Sequence, residues 1–236
     1  MVRRLNTVLV LAVSLALGAF AASFPKPGVF AAERSSSVSA HGPRQVLAFY
    51  YPWYGNPNVP GGSGRWAHWS DVDERHKTIG SSTHYPKLGP YDSHDPALVA
   101  QHVRWAKQAG VTGFIASWWG HDSFSGRALP VLLKGGKEGG MTVTIYYERV
   151  PEPVSPDSAA QDLLRLLRQH GRHPAWLKVG GKPVVFLYGR AIGQLRLEGW
   201  EQAIRKVKAQ YGDGAVFLGD RPTRDAARVF DGLHTY

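Results

Sequence analysis

The sequence predicts an α/β fold of the (β/α)8 barrel type, incomplete here, with about six strands covered. Three observations carry this. Short apolar runs alternate with helical segments of about 10–15 residues, the pattern of parallel βα units. Those runs are continuously apolar, as expected of strands covered on both faces. Aromatic and polar residues gather just past the C-terminal ends of the runs, where barrels of this type build their sites. The competing architecture is an open doubly wound sheet that binds a nucleotide after its first strand. The turn at that point is Pro52-Trp53-Tyr54-Gly55, with no glycine-rich phosphate loop, so the barrel is favoured.

The chain opens on a predicted export signal over residues 1–22. Arg3 and Arg4 form a basic start, an uncharged apolar run follows from Val8 to Ala22, and Ala19 and Ala21 form an A-x-A-like cleavage site. The run falls short of the roughly 20 apolar residues of a membrane span, so cleavage is preferred over an uncleaved anchor. Residues 23–43, rich in Ser, Ala and Pro, read as a flexible leader, and 44–236 as the front part of the barrel. A secreted or cell-surface location is expected, with no stable membrane span after cleavage.

The first strand is read over Gln45–Tyr51, followed by a Gly/Pro/Trp-rich loop from Pro52 to His94. Asp95-Pro96 supplies an N-cap and an N1 proline for a helix that Gly110 closes. Val111–Ser117 is the second strand, a helix lies near Gly126–Glu138, and Met141–Tyr147 is the third strand. Ser155-Pro156-Asp157 caps a helix with Ala160, Leu163, Leu164 and Leu167 on one face. Pro183–Tyr188, a helix over Glu198–Tyr211, Ala215–Asp220, a short helix near Thr223–Val229 and Asp231–Tyr236 complete the run. Six strands leave an eight-stranded barrel unclosed, so an open edge with uncovered apolar residues is expected.

Composition narrows the function. The chain has no cysteine, which removes disulfides, cysteine nucleophiles and Cys-based zinc sites. Its formal charge is +10; Arg3, Arg4 and Lys26 account for three of these, with no acid before Glu33, leaving +7. The remaining basic residues are scattered over helical segments with no nucleic-acid-binding module, so weak attraction to anionic cell-surface polymers is the most they imply. His68, His76, His84 and His94 lack metal-ligand spacing. No cofactor, no metal and no nucleic-acid partner are expected, and a monomer is.

Sugar sites combine aromatic faces with carboxylates and amides, and the strand ends offer such a set among eight tryptophans. The first strand runs into Tyr51, Trp53 and Tyr54, and the long loop adds Trp66, His68, Trp69 and His76. The second strand ends in Trp118 and Trp119, the third in Glu148, the fifth in Asp220, and the last in His234 and Tyr236. Glu148, directly after a buried strand, is the best carboxylate; a loop salt bridge with Arg149 is its structural alternative. Asp220, before Arg221-Pro222, could pair with it or cap a turn. Asp122 could belong to the site or face water.

FYYPWYGNP (Phe49–Pro57), WAHW (Trp66–Trp69), IGSSTHYPKLGPYDSHDP (Ile79–Pro96) and SWW (Ser117–Trp119) resemble glycoside hydrolase family 99, the endo-α-1,2-mannosidases and endomannanases. HPAWL (His173–Leu177) and the terminal DGLHTY continue the likeness in order. The resemblance implies a retaining hydrolase of α-mannose-containing glycans, without metal, in which the substrate 2-hydroxyl acts as internal nucleophile. It gives Glu148 a substrate contact near the cleavage point, and Trp118 or Trp119 and Tyr236 lining roles. The family's acid/base pair belongs to a Glu-Trp-His-Glu type segment that is absent from this chain. Two departures bear on substrate: the family's Glu-Pro-Tyr after the third strand is Glu148-Arg149-Val150 here, and the Trp69–Ile79 loop lacks paired prolines, leaving His76 as the equivalent. A non-catalytic glycan-binding barrel, or a glycosidase of other specificity using Glu148 with Asp220, are the alternatives. With the acid pair missing, purified residues 45–236 are expected to give no turnover of an α-mannoside; measurable hydrolysis would overturn that expectation.

Overall fold

The computed structural model describes residues 44–80 and 82–236; the expected export signal (1–22) and leader (23–43) lie outside them. Six strands form one parallel sheet in the order β1-β2-β3-β5-β6-β7: β1 Leu47–Tyr50, β2 Gly113–Trp118, β3 Thr142–Tyr147, β5 Lys182–Leu187, β6 Val216–Asp220 and β7 Gly232–His234. A short β4 (Lys178–Val179) pairs antiparallel with β5. The strand order never reverses. Right-handed crossovers between successive neighbours then place every connecting helix on the same side of the sheet, which is barrel winding and not the doubly wound alternative. The helices are α1 (Pro96–Gln108), α2 (Phe124–Gly139), α3 (Pro156–Leu166), α4 (Gly189–Gln210) and α5 (Ala226–Val229).

Alternation along each strand sorts side chains into two layers. Phe114, Ala116, Trp118, Val143, Ile145, Tyr147, Val185, Leu187 and Phe217 pack outward against Val99, Leu129, Leu132, Leu163 and Ile204 of the helices. Ile115, Tyr146, Val184 and Phe186 face the concave side, with Phe49, Tyr188 and Leu218 against them. The inner layer is closed at the middle strands and open at the flanks. On β6 the inward Val216 and Leu218 are half-exposed while the outward Phe217 is buried, and all of β1 is half-exposed. The expected uncovered apolar edge is thus present among the described residues.

Local chemistry explains the helix ends. Asp95 accepts from Ala97 N and Ser155 from Ser158 N, each before a proline in the first turn. Gly140 ends α2 in the left-handed region at φ 66°. Gly135 and Gly139 let α1 and α2 close together: a Cβ on either would lie 2.5 Å and 2.2 Å from Val99 and Val103. Helix α4 begins nine residues before the expected Glu198, with one non-helical residue, Arg196 (φ 56°). Its glycine-bearing start has no capping side chain, but the Trp200 indole donates to Ala191 O at 3.0 Å and ties the two segments together. After α3, Leu167–Gly171 continues as a π-helical turn, which the Leu spacing alone does not disclose.

The long loop between β1 and α1 is folded around one buried carboxylate. Asp92, fully buried, accepts Asn56 N (3.0 Å) and Ser63 N (2.9 Å) on Oδ2 and His94 N (2.8 Å) on Oδ1, with the Ser63 hydroxyl also on Oδ2. Burial alone would push this carboxyl up, but the donated hydrogen bonds outweigh it and hold it below the ordinary range. Its contribution to stability is therefore present above the unfolded carboxylate value, about 4, and is lost as pH falls through the lower folded value. Asp92→Ala strands these donors and is expected to cost on the order of 3 kcal/mol. Chemical denaturation at neutral pH checks this, and the gap to wild type should narrow under acid conditions.

Candidate active site

The concave end of the sheet is built from strand termini and the loop that Asp92 holds. Past β1 the chain turns through Tyr51, Trp53 and Tyr54, and an antiparallel bridge between Gly55 and Ala67 brings His68 and Trp69 alongside. Two ring stacks result. Tyr51 stacks on Trp53 (4.8 Å between centroids) and Trp53 on His68 (4.9 Å). Tyr54 stacks on Trp69 (4.1 Å), whose indole donates to Tyr91 O at 2.8 Å. The first stack borders the pocket; the second, with Trp69 buried, binds the loop to itself.

Glu148 stands at the centre. Its backbone N–H donates to Trp118 O (3.1 Å), which prolongs the β2–β3 ladder by one residue and fixes the side chain's position. The carboxyl is buried, and its Oε1 accepts the Ser117 hydroxyl at 2.7 Å. Ser117 in turn accepts the Trp119 indole N–H at 3.0 Å. Oε2 has no hydrogen-bond partner among the described residues. Desolvation raises the pKa of Glu148, and the Ser117 hydrogen bond and the Arg190 charge pull part of it back. The group therefore keeps its proton to a higher pH than an ordinary glutamate. Arg190 sits 5.3 Å over the Trp119 ring.

Asp220 has a different role. Its Oδ2 accepts the Tyr146 hydroxyl (3.0 Å) and Gly189 N (3.3 Å), and its Oδ1 accepts Tyr236 N (3.2 Å). These bonds tie β3, the start of α4 and the segment after β7 together. The same tie, with burial as the larger cause, pushes the Tyr146 phenol well up. Tyr236 reaches back to meet the Tyr51 hydroxyl, and Phe49 lies edge-on to Tyr236 at 4.9 Å.

The pocket so formed is about 190 Å³. Of the residues expected from sequence, Tyr51, Trp53, Trp119, Glu148 and Tyr236 line it together. His68 lies one ring further out, stacked on Trp53, and Tyr54 and Trp69 form the layer behind. His234 lies on the concave side, its ring 5.5 Å from that of Tyr146, with Nε2 buried and unpartnered among the described residues. The Trp53 indole N–H is likewise buried without a partner. Trp118 and His76 lie apart from the pocket. Trp118 has the parity of the outer layer: it is buried against the helices, stacked on Tyr147 at 5.5 Å. His76 sits on an exposed turn, paired with Asp73 at 2.7 Å, and takes no part in the pocket. The structural alternative for Glu148, a salt bridge with Arg149, does not form among the described residues; Glu148 turns inward to Ser117.

Sequence reasoning missed Ser117, Tyr146, Tyr188 and Arg190. Strand parity could have found the first two, since Ser117 stands opposite Tyr146 in register. Among the described residues no three His, Asp or Glu side chains converge as a metal site.

Because folding raises the Glu148 pKa, the native state holds the proton more tightly than the unfolded chain. Wild-type stability should therefore fall as pH rises from the ordinary glutamate value, about 4.3, through the folded value. Glu148→Gln removes the desolvated charge, so its melting temperature should match or exceed wild type at pH 7, with the difference growing over this window. A clearly less stable variant at pH 7 would mean that the anion is held by a net stabilising partner.

Comparison with known proteins follows the same lines. A family model described as glycosyl hydrolase family 99 matches residues 43–236. The chain is similar to the mouse glycoprotein endo-alpha-1,2-mannosidase, 26% identical over 227 residues that make up 80% of this chain and 47% of that protein. The rat protein of the same name is 27% identical over 226 residues, 81% of this chain and 48% of that one. Among solved structures, the GH99 endo-alpha-mannosidase of Bacteroides thetaiotaomicron in complex with bis-tris-propane superposes with a TM-score of 0.68 at 26% identity, over 81% of this chain and 58% of that one. The chain spans about half the length of the curated relatives it matches.

Proposed function

Because the chain belongs to glycosyl hydrolase family 99, we propose that its concave pocket binds the sugar next to the cleaved bond in a hydrolase of α-mannose-containing glycans. One observation supports this above the rest: a buried glutamate with one oxygen held by Ser117, set in a frame of Tyr51, Trp53, Trp119 and Tyr236. The aromatic faces stack on the apolar face of a pyranose ring, and the second carboxyl oxygen of Glu148 holds a sugar hydroxyl. The names of the mouse, rat and bacterial relatives supply the sugar and the endo mode of attack. Export, the remaining part of the proposal, rests on residues 1–22.

The chemistry proposed is retention with participation of the substrate 2-hydroxyl. A carboxylate takes the 2-hydroxyl proton as O2 attacks C1, an acid protonates the departing glycosidic oxygen, and water then opens the 1,2-anhydro ring. Two carboxyl groups must flank one bond for such a reaction. Glu148 is the one acid lining the pocket among the described residues, and Asp220 is committed to its three hydrogen bonds. In this reading Glu148 positions the substrate, and the acid/base pair comes from outside residues 44–236.

The full chain titrated with an α-1,2-linked mannobiose, followed by tryptophan fluorescence or calorimetry, should show saturable binding, weakened about tenfold in Glu148→Gln. Absence of binding, or binding indifferent to both Glu148→Gln and Trp119→Ala, would defeat the reading.

A further inference from the structure

Beyond Trp119 lies a second cavity of about 420 Å³, whose wall Trp119 shares with the Glu148 pocket. The two are opposite sides of the same chain segment. Glu148 turns into the first pocket, and the next residue, Arg149, lines the second together with His121, Asp162 and Arg165. Asp162 is already committed: Oδ2 accepts the Tyr147 hydroxyl at 2.8 Å and Oδ1 lies 3.4 Å from His121 Nε2. Burial raises the pKa of Asp162, and Tyr147, His121 and the two arginines counter that rise. Asp122 also lines the cavity and, like Arg149 and Arg165, is exposed to solvent.

The two guanidinium groups are what remains. Neither Arg149 nor Arg165 forms a hydrogen bond or ion pair among the described residues, though both lie close enough to Asp162 to act on its charge. A guanidinium is a fixed fork of donors matched to phosphate or carboxylate oxygens, and both Arg149 and Arg165 present theirs, exposed, at this cavity. The net charge of +7 outside the leader favours the same class of ligand.

We infer that this cavity is a subsite for an anionic sugar, one bearing a phosphate or carboxylate group, on the glycan strand that passes Trp119. The inference rests on the reading of the Glu148 pocket as a mannoside site, because that pocket sets the path of the strand. Arg149 and Arg165 grip the anion, and Trp119 is the wall between this sugar and the one at Glu148.

Calorimetry on the full chain with mannose 6-phosphate, glucuronate and mannose tests it. At least one charged sugar should bind about tenfold more tightly than mannose. A preference for mannose 6-phosphate identifies a phosphate ligand, and one for glucuronate a carboxylate. Arg149→Gln/Arg165→Gln should abolish the preference while leaving neutral mannobiose affinity unchanged, which also reports that the variant is folded. Equal binding of charged and neutral sugars, or a charged preference that survives in the double variant, overturns the inference. If mannobiose binds and charge adds nothing, the second cavity alone has been misread. If mannobiose fails while mannose 6-phosphate binds through the arginines, the Glu148 reading fails and the cavity stands as an anion site.

Discussion

The buried carboxylate of Asp92 is the constraint on which the site depends. A loop of some forty residues has no regular ladder to satisfy its backbone, and buried N–H groups without partners are costly. Asp92 resolves this by collecting donors from Asn56, Ser63 and His94, which lie on both sides of the loop. Asn56 reinforces it, donating to Pro90 O and accepting Asn58 N. With the backbone gathered at that point, Trp53 and Tyr54 have no choice of side: one stack faces the pocket and the other locks the loop. The charge survives burial because each of its oxygens is hydrogen-bonded.

The second organising rule is parity. In a parallel sheet covered by helices on one side, successive residues face opposite environments, and a shift by one exchanges core for cavity. Trp118 and Trp119 differ by one position and end in different parts of the molecule, one under the helices, the other over Ser117. Glu148 and Arg149 repeat this at the end of β3. The outcome is a carboxyl in a dry aromatic setting and a guanidinium at a wetter one, on adjacent residues of the chain.

Much of this was legible before the structure. The Asp95 and Ser155 caps located the starts of two helices, because the capping side chain and the following proline act locally. The strands stood out as apolar runs, and Glu148 as the acid that ends one. What was not legible depended on distant partners. The start of α4 has no cap and is held by an indole nine residues on. Asp220 looks like a catalytic candidate from its position alone, and only the three donors from β3, α4 and the chain terminus reveal its structural task. The facing of Trp118 required a register, which a pair of adjacent tryptophans cannot supply. His76 matched a family position but sits in a turn whose geometry its own Asp73 determines.

The contact between the two flanks of the sheet has a kinetic meaning. Phe49 of β1 touches Tyr236 past β7, across nearly the whole described chain. Closing so long a loop costs entropy that grows with its logarithm, and contacts of high sequence separation form after local ones have been rewarded. Each βα unit contacts its predecessor through neighbours close in sequence, whereas the aromatic bridge from Phe49 and Tyr51 to Tyr236 spans all of them. The Glu148 pocket is therefore framed by residues from both ends of the described chain, and its integrity reports on the completion of the entire arc.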